Sequence, residues 1–227
     1  MKKLWLPLIL VNFKTYLEGT GRKARGLAEI AQKVSDEVGV CIGLAPQYTD
    51  IAQIARIVSL PIFSQHIDHY VPGSFTGHIL PEAIKETKAV GTLINHSERR
   101  LCISEIDATI RRVKDLGLIS VVCTNNANVS ASTAALNPDF IAIEPPELIG
   151  TGIPVSKAKP QIVTTTIKQV KKINPAITIL CGAGISNGAD VSAALKLGTN
   201  GVLVASGIVK AKRPYKTLME FAQATTK

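Results

Sequence analysis

Aromatic residues are scarce in this sequence, and paired cysteine motifs are absent from it. Phenylalanine, tyrosine and tryptophan together make up 4% of the 227 residues, so the core must consist mainly of Ile, Val, Leu and Ala. Such a core suits strands that helices cover on both faces. The four cysteines form no C-x-x-C pair, and three of them fall inside apolar runs. Buried free thiols in a reducing cytosol explain this pattern best.

Long hydrophobic runs are also missing. No stretch is long enough to span a bilayer. Lys2 and Lys3, followed by the apolar residues 4–11, imitate the start of a signal peptide, but the run is short and Asn12 and Lys14 interrupt it. We therefore expect a cytoplasmic protein that makes no membrane contact.

Acidic residues are fewer than basic residues in this sequence. There are 26 Lys and Arg residues against 17 Asp and Glu residues, which gives a formal net charge of +9. This excess can steer an anionic partner, either a small phosphate or a nucleic acid, or it can be a solvated basic surface, since the charges are dispersed. No basic run is interleaved with aromatic residues, so we do not expect nucleic-acid binding.

Short apolar runs alternate with helical stripes along the whole chain. A stripe such as Ala24, Leu27 and Ala31, which ends at Gly39, has the spacing of one helix face. The predicted strands are residues 8–11, 40–45, 61–65, 92–95, 119–123, 140–143, 176–181 and 201–205. Eight strand–helix pairs of about 28 residues each predict an α/β fold, a (β/α)8 barrel (TIM barrel) that forms a single domain over residues 1–227. A doubly wound open sheet is the alternative.

Polar residues follow several of the predicted strands. Asn12 and Lys14 follow the first strand, His96 follows the fourth, and Glu144 follows the sixth. In a barrel the carboxyl ends of all strands meet at one rim, so these residues converge there. Taken singly, each has an ordinary explanation as a solvated charge, a structural histidine or a helix start.

The segments that follow Glu144 and His96 favour a catalytic role for these two residues over the ordinary explanations. The prolines at 145–146 forbid an immediate helix, which leaves the Glu144 carboxylate pointing along the strand axis. The segment 97–100 after His96 is a predicted helix start, whose backbone N–H groups would point at the imidazole and favour its neutral form. His66, His69 and His78 show no metal-ligand spacing, so no metal site is predicted.

Glycine segments occur at three further positions. The segment 149–152 lies between rigid prolines and predicts a loop that moves as a unit, although an ordinary surface turn is the alternative. The segments 182–184 and 205–207 follow the last two predicted strands. Their backbone N–H groups are suited to binding a phosphate, as is frequent in barrels of this kind.

Together these segments resemble the triosephosphate isomerase family over essentially the whole chain, and most closely its shorter archaeal branch. The segments that carry the resemblance are Asn12-Phe13-Lys14, His96-Ser97-Glu98-Arg99-Arg100, Glu144-Pro145 and Ile149-Gly150-Thr151-Gly152. There are departures from the longer form of the family. The stretch 145–148 lacks the tryptophan that the longer form usually has in the loop after the residue equivalent to Glu144. Ala205-Ser206 stands where two glycines are usual.

The resemblance implies an aldose–ketose isomerase that needs no cofactor. It would interconvert dihydroxyacetone phosphate and D-glyceraldehyde 3-phosphate in glycolysis and gluconeogenesis. Glu144 would be the general base and His96 the electrophile, while Lys14 neutralises the substrate and Asn12 orients its oxygens. The family also implies self-association, with a homotetramer expected and a dimer as the alternative.

The resemblance also implies a set of substrate- and phosphate-binding residues. They are Phe13, Ile149, Gly150, Gly184, Ala205 and Ser206. Closure of the 147–152 loop would exclude water from the reaction. Glu98 is expected to be structural and to pair with Lys14 or with an arginine.

Two other functions remain open from the sequence. Another phosphate-binding barrel, such as a pentulose-phosphate epimerase, usually brings paired acids or metal-binding histidines at several strand ends, and these are not found. A non-enzymatic protein that binds nucleic acid would use the net charge of +9. Its binding would weaken steeply with salt.

Overall fold

The structure, a computed structural model, describes residues 4–145, 154, 156 and 159–226. Its described part contains one sheet of eight parallel strands. The strands are β1 Leu8–Asn12, β2 Cys41–Ala45, β3 Phe63–Ser64, β4 Gly91–Ile94, β5 Ile119–Thr124, β6 Phe140–Ile143, β7 Thr178–Cys181 and β8 Gly201–Val204.

The sheet closes on itself. Strand β1 pairs with β2 on one side and with β8 on the other. The remaining gap, between β2 and β3, is bridged where Leu44 pairs with Ile62 and donates a hydrogen bond to Pro61 O at 3.0 Å. A doubly wound sheet has two free edges, so this closure excludes it and confirms the predicted (β/α)8 barrel.

Helices follow the strands and cover the outside of the barrel. They are α1 Arg22–Val38, α2 Tyr48–Ile57, α3 Pro81–Glu86, α4 Ile103–Asp115, α5 Ala127–Ala134, α6 Pro160–Ile173, α7 Gly188–Lys196, α8 Ser206–Val209 and α9 Pro214–Gln223. The stripe predicted for the first helix is its buried face, since Ala24, Leu27 and Ala31 are all buried. Gly39 ends this helix with a left-handed φ of 75°, a conformation that glycine adopts without steric cost.

Two predicted strands are longer than the observed ones by more than a single residue. The third was predicted over 61–65 and is regular only at Phe63–Ser64, because Ile62 pairs through a single bridge. The seventh was predicted from residue 176 and begins at Thr178. The residues before it form a turn whose carbonyls at Pro175 and Ile177 accept hydrogen bonds from the Lys171 ammonium group at 2.8 and 2.7 Å.

Alternate residues of each strand face opposite sides of the sheet. In β1, Leu8 and Leu10 belong to the apolar cluster inside the barrel, whereas Ile9 and Val11 belong to the layer under the helices. The next inward position along this strand is Asn12. The same alternation explains why a polar side chain that follows an apolar strand turns into the barrel mouth and not toward the helices.

The amino end of the barrel is closed by very tight backbone contacts. A Cβ atom at Gly201 would lie 2.0 Å from the carbonyl oxygen of Leu8, and one at Gly91 would lie 2.4 Å from that of Ile119. No side chain fits at such separations, so only glycine lets these strands approach one another. Gly201 also has a φ of 152°, which an L-residue adopts only with strain.

All four cysteines are free thiols. Cys41, Cys123 and Cys181 are buried in strands, as the apolar runs predicted, whereas Cys102 is exposed at the start of α4. Within the described ranges, no helix combines the length and the apolar composition that a membrane crossing requires.

Candidate active site

A cavity of about 190 Å³ opens at the carboxyl ends of the strands. Its lining residues are Asn12, Lys14, Tyr16, His96, Glu144, Ala183, Gly184, Ile185, Ser186, Leu203, Val204, Ala205, Ser206 and Gly207. The side chains that the sequence pointed to after the first, fourth and sixth strands therefore share one cavity. Glycine-containing segments after β7 and β8 form its other wall.

Lys14 is held in an unusual backbone conformation. Its φ is 49°, a left-handed value that is uncommon for a residue with a side chain. The backbone N–H of Lys14 donates to Asn12 Oδ1 at 2.9 Å, and its carbonyl accepts from Gln65 Nε2 at 2.9 Å. Gln65 Nε2 also donates to the carbonyl of Ala45 at 3.1 Å. Both sides of the strained peptide are thus fixed by side chains, one from β1 itself and one from the end of β3.

The Lys14 ammonium group reaches across the mouth of the barrel. Its nitrogen lies 2.8 Å from Glu98 Oε1, and the lysine side chain is only 10% exposed while that of Glu98 is 57% exposed. Glu98 therefore pairs with Lys14, as the sequence analysis expected. This ion pair fixes the direction of the ammonium group.

The turn that carries His96 is built around its neighbour Asn95. Asn95 has a left-handed φ of 58° and is buried. Its side chain donates to the carbonyl of Cys123 at 3.0 Å and accepts from the backbone N–H of Leu101 at 2.9 Å. These two hydrogen bonds anchor both ends of the segment that presents His96 to the cavity.

The protonation of the His96 ring follows from one contact. The backbone N–H of Glu98 donates to His96 Nδ1 at 3.2 Å, so Nδ1 is an acceptor and the ring proton is on Nε2.

The helix start predicted at 97–100 is wrong, because Arg99 N donates to His96 O at 2.8 Å in a turn and α4 begins only at Ile103. A backbone N–H nevertheless points at the ring.

His96 Nε2 faces Glu144. The distance from Nε2 to Glu144 Oε2 is 3.6 Å, and both side chains are buried, at 8% and 7% exposed. Burial by itself raises the pKa of Glu144, but the imidazole of His96, the thiol of Cys123 and the ammonium group of Lys14 together outweigh it and hold the pKa of this carboxyl below its ordinary value. The carboxylate is therefore ionised at neutral pH.

The position of the Glu144 carboxylate depends on a missing side chain. A Cβ atom at Gly182 would lie 2.5 Å from Glu144 Cγ, so only glycine leaves room for it. Within the described residues, Glu144 Oε2 is buried and has no hydrogen-bond partner. A buried carboxylate oxygen in this state is costly, and it is free to accept a proton from a molecule in the cavity.

The wall formed by the last two strand ends is rich in backbone N–H groups. Ala183 and Gly184 have left-handed φ values of 66° and 72°. Ser206 and Gly207 open the short helix α8, and the first N–H groups of a helical turn have no acceptor within that turn. Backbone N–H groups of this kind can bind an anion where they point into the same space.

Comparisons with known proteins agree with this geometry. The triosephosphate isomerase family model matches residues 7–224. The triosephosphate isomerases of Methanocaldococcus jannaschii and Methanosarcina barkeri are each 56% identical to this chain over 213 residues, which cover 94% of it and 97% and 96% of those proteins. That of Methanobacterium bryantii is 56% identical over 214 residues, 94% of this chain and 95% of its own.

The chain belongs to the triosephosphate isomerase family. The resemblance predicted from the sequence is therefore confirmed, including its archaeal character.

The structure leaves some of the expected binding residues out of the cavity. Phe13 is fully buried in the layer between strands and helices, and its backbone N–H donates to Ala45 O at 3.0 Å. Its side chain therefore does not line the cavity. Ile149 and Gly150, together with the rest of the 147–152 loop, lie outside the described residues.

Three further residues that line the cavity or support it were not predicted from the sequence. Gln65 holds the Lys14 carbonyl, and Tyr16 lines the cavity. Ser186 lines it too, and its N–H and hydroxyl both donate to Asp190 Oδ2 at 3.0 Å, which secures the loop after β7. The inward-facing position of Gln65 at the end of the third predicted strand was a usable signal for that residue. Tyr16 gave no such signal.

The described residues contain no cluster of metal-binding side chains. Among the described residues, no group of three or more His, Cys, Asp or Glu side chains is arranged to hold a metal ion. What the cavity does contain is a carboxylate, an imidazole N–H and an ammonium group. These are the parts of an acid–base site.

Proposed function

We propose that this chain interconverts dihydroxyacetone phosphate and D-glyceraldehyde 3-phosphate through an enediolate. The observation that carries the proposal is the pairing of an ionised, buried Glu144 with the N–H of a neutral His96 at 3.6 Å in one small cavity. A base and a hydrogen-bond donor that face each other can act on two adjacent carbons of a small substrate. Family membership supports the same reaction.

Glu144 acts as the general base in this proposal. Its Oε2 removes a proton from the carbon beside the substrate carbonyl and returns it to the adjacent carbon. The proton on His96 Nε2 forms a hydrogen bond to the substrate oxygens, where negative charge develops in the enediolate. Since Glu98 N–H occupies Nδ1, the imidazole keeps this orientation through the reaction.

Lys14 and Asn12 position the substrate. The Lys14 ammonium group adds positive charge beside the developing oxyanion, and its contact with Glu98 keeps it in place. Asn12 uses Oδ1 to hold the backbone of Lys14, which leaves its NH2 group to orient a substrate oxygen. The two residues therefore form one rigid unit.

The phosphate group of the substrate lies at the opposite wall. We assign it to the backbone N–H groups of Gly184, Ala205 and Ser206, with Ile149 or Gly150 completing the site when the 147–152 loop closes. Closure would exclude water and so protect the enediolate from losing phosphate. The left-handed backbone at 183–184 supports this assignment, since it turns successive N–H groups toward one space.

Self-association is the second part of the proposal, with a homotetramer expected and a dimer as the alternative. Two separate apolar surfaces support it. One lies in the segment after β3, where Val71 and Phe75 line one cavity and are 57% and 41% exposed. The other is a groove between α4 and α5 that is lined by Leu101 and Ile103, the latter 55% exposed. Two different self-complementary surfaces are what a tetramer with two kinds of two-fold interface requires.

The mass of the assembly in solution tests this part. Light scattering coupled to gel filtration should give four chain masses. Ile103→Lys, which places a charge in the α4–α5 groove, should reduce the assembly to two. A protein that elutes as a monomer at micromolar concentration would refute self-association.

We also place the enzyme in the cytosol, which the three buried free thiols support.

An isomerase assay in D2O tests the reaction itself. With dihydroxyacetone phosphate as substrate, and with a chelator in place of any cofactor or metal, D-glyceraldehyde 3-phosphate should form with deuterium at C2. The deuterium reports exchange of the proton on Glu144 with solvent before it is returned. Activity that the chelator abolishes would point to a metal-type epimerase, and salt-sensitive DNA or RNA binding without isomerisation would point to a nucleic-acid-binding protein.

A further inference from the structure

Two residues that the proposed mechanism does not use meet at the rim of the cavity. The ammonium nitrogen of Lys210 lies 4.3 Å from the centroid of the Tyr16 ring. At this distance a cation is attracted by the negative face of an aromatic ring. Tyr16 is itself part of the cavity wall. The cation–π contact therefore holds a lysine beside the substrate cavity.

The backbones of both residues are fixed. The carbonyl of Tyr16 accepts hydrogen bonds from the N–H of Gly19 and from the hydroxyl of Thr20, both at 2.9 Å. The N–H of Lys210 donates to Ser206 O at 3.1 Å. Lys210 thus extends from the helical turn whose first N–H groups form the phosphate wall, and its stem starts one turn beyond that wall.

The charges in and beside the cavity do not suit a dianion. Lys14, which lines the cavity, is paired at 2.8 Å with Glu98 beside it, and Glu144 adds a second carboxylate inside. Among the described residues, these three ionised side chains sum to a net negative charge at the site. A phosphate monoester carries about −1.5 to −2 charges at pH 7. Lys210 forms no ion pair with any described carboxylate, so its charge is available to the phosphate.

We infer that Lys210, seated on the ring of Tyr16, is a recognition residue for the phosphate group of the substrate. The inference rests on the proposed function, which supplies that phosphate. Tyr16 keeps the ammonium group at the cavity rim, where its field attracts the entering dianion and offsets the carboxylates of Glu98 and Glu144. The chemical step needs neither residue.

Substitution of Lys210 by Met tests the inference, because Met keeps an unbranched stem and removes the charge. The KM for dihydroxyacetone phosphate should rise about two- to fivefold at low ionic strength while kcat stays unchanged, as expected for a partly solvated charge that binds substrate and transition state alike. The Kd of glycerol 3-phosphate, which carries the phosphate but no carbonyl, should rise by the same factor. Lys210→Arg should retain wild-type values.

Salt provides a second measurement. Added NaCl shortens the distance over which exposed charges interact, from about 10 Å at 0.1 M to about 3 Å at 1 M, so the difference in KM between wild type and Lys210→Met should shrink as salt is raised. A KM difference that is independent of salt would overturn the electrostatic role.

The chain offers a matched control in its other cation–π pair. The Lys33 ammonium nitrogen lies 5.0 Å from the Tyr215 ring centroid, and neither residue lines the cavity. Lys33→Met removes the same unit of net charge and also breaks a lysine–tyrosine contact. If Lys33→Met and Lys210→Met have the same KM and the same salt dependence, the inference is overturned.

Variants of Tyr16 separate the ring from its hydroxyl group. Tyr16→Phe should keep the wild-type KM, whereas Tyr16→Leu should resemble Lys210→Met, and the double variant Tyr16→Leu/Lys210→Met should be no worse than either single one. Additive effects would show that the ring does not act through the lysine. An unchanged KM in Lys210→Met would refute this inference alone, while a wild-type protein that binds glycerol 3-phosphate but isomerises nothing would refute the proposed function.

Discussion

The two ends of the barrel use their residues in opposite ways. At the amino end, Gly91 and Gly201 bring strands so close that a single added carbon atom would collide with a neighbouring carbonyl. At the carboxyl end, Asn12, His96 and Glu144 are all buried polar side chains around an open cavity. The amino end is thus built for closure, and the carboxyl end keeps costly polar groups for chemistry.

Left-handed backbone shows the same contrast. At the carboxyl end, Lys14 and Asn95 have φ values of 49° and 58°, and side-chain hydrogen bonds hold each of these turns on both sides. At the amino end, Lys88 has a φ of 67° in a simple turn, where its N–H donates to Lys85 O at 2.9 Å. The left-handed conformation of Lys14 and Asn95 positions functional groups, whereas that of Lys88 only lets the chain turn.

Replacing the base should have the largest effect of any change at the carboxyl end. Glu144→Gln keeps the shape of the side chain and removes its ability to take a proton, so kcat should fall by about 10²–10⁴-fold or more. Because one of its oxygens has no hydrogen-bond partner among the described residues, stability should change by less than about 1 kcal/mol. Steady-state kinetics and urea unfolding measure the two quantities.

Unchanged isomerisation by Glu144→Gln would remove the assignment of the base. A large loss of stability in the same variant would instead contradict the comparison, since it would show that the carboxyl end is structural in the way that the amino end is.

Replacing a glycine at the amino end should produce the reverse result. Gly201→Ala places a Cβ atom 2.0 Å from Leu8 O at a φ of 152°. The clash and the backbone strain together should lower the free energy of unfolding by about 3–5 kcal/mol. The kcat of the molecules that remain folded should be unchanged, which urea unfolding and active-site titration can establish.

A matched glycine serves as the control for that variant. Gly26 lies inside α1, and a Cβ atom there would meet no other atom within 4 Å. Gly26→Ala should therefore raise stability by about 0.5–1 kcal/mol through helix propensity. Equal destabilisation by both glycine variants would mean that the tight contacts at the amino end are not what makes Gly201 necessary.

Much of this contrast could be predicted from the sequence because it reflects burial. Apolar strands and helical stripes recur with periods that their packing explains, so the alternation of strands and helices and the polar strand ends could be predicted from patterns within single segments. Asn12, Lys14, His96 and Glu144 were predicted as site residues in this way, and the structure places them around one cavity. The third strand was overextended because an apolar run does not show where pairing stops.

Apart from the pair of Lys14 with Glu98, which the family resemblance implied, the contacts between segments could not be predicted. Gln65 reaches Lys14 across 51 positions of the chain, and Asn95 reaches Cys123 across 28. Such hydrogen bonds depend on the register between strands and on left-handed turns, neither of which local composition encodes. The turn after His96 was predicted as a helix start for the same reason, since the pattern of residues 97–100 contains no information on what holds Asn95.

Acid should lower the free energy of unfolding through a buried histidine at the carboxyl end. His66, in the loop after β3, is 3% exposed, and its Nε2 lies 3.1 Å from Asp68 Oδ1. Burial lowers the pKa of His66 and outweighs the opposing effect of Asp68. Below the ordinary imidazole pKa of about 6.5, the unfolded chain therefore binds more protons than the folded one, so stability falls as pH decreases.

Unfolding free energies measured between pH 7.5 and 5 test this effect of His66. In His66→Gln the pH dependence below about 6.5 should be weaker by up to about 1.4 kcal/mol per pH unit, which is the limit for one proton. A wild-type slope in His66→Gln would contradict the role of the buried His66. The lowered pKa values of Asp68 and Glu144 act in a separate window, since the stability that they contribute is lost only below about pH 4.5.

The smallest effect should come from relieving strain at the amino end. Lys88 is exposed and left-handed, so Lys88→Gly should raise the free energy of unfolding by about 0.5–1 kcal/mol and leave kcat unchanged. Lys85→Gly, in the last turn of α3, is the control and should lower stability, because glycine is a poor helix former.

The same substitution at the carboxyl end decides whether the two kinds of strain differ. Asn95→Gly also relieves a left-handed φ, but it removes the hydrogen bonds to Cys123 O and from Leu101 N–H. Two lost hydrogen bonds should cost about 1–3 kcal/mol, and kcat should fall because His96 is no longer held. Opposite signs of the stability change in Lys88→Gly and Asn95→Gly would establish that strain is tolerated at the carboxyl end for the groups it positions, while equal signs would reduce both positions to ordinary turns.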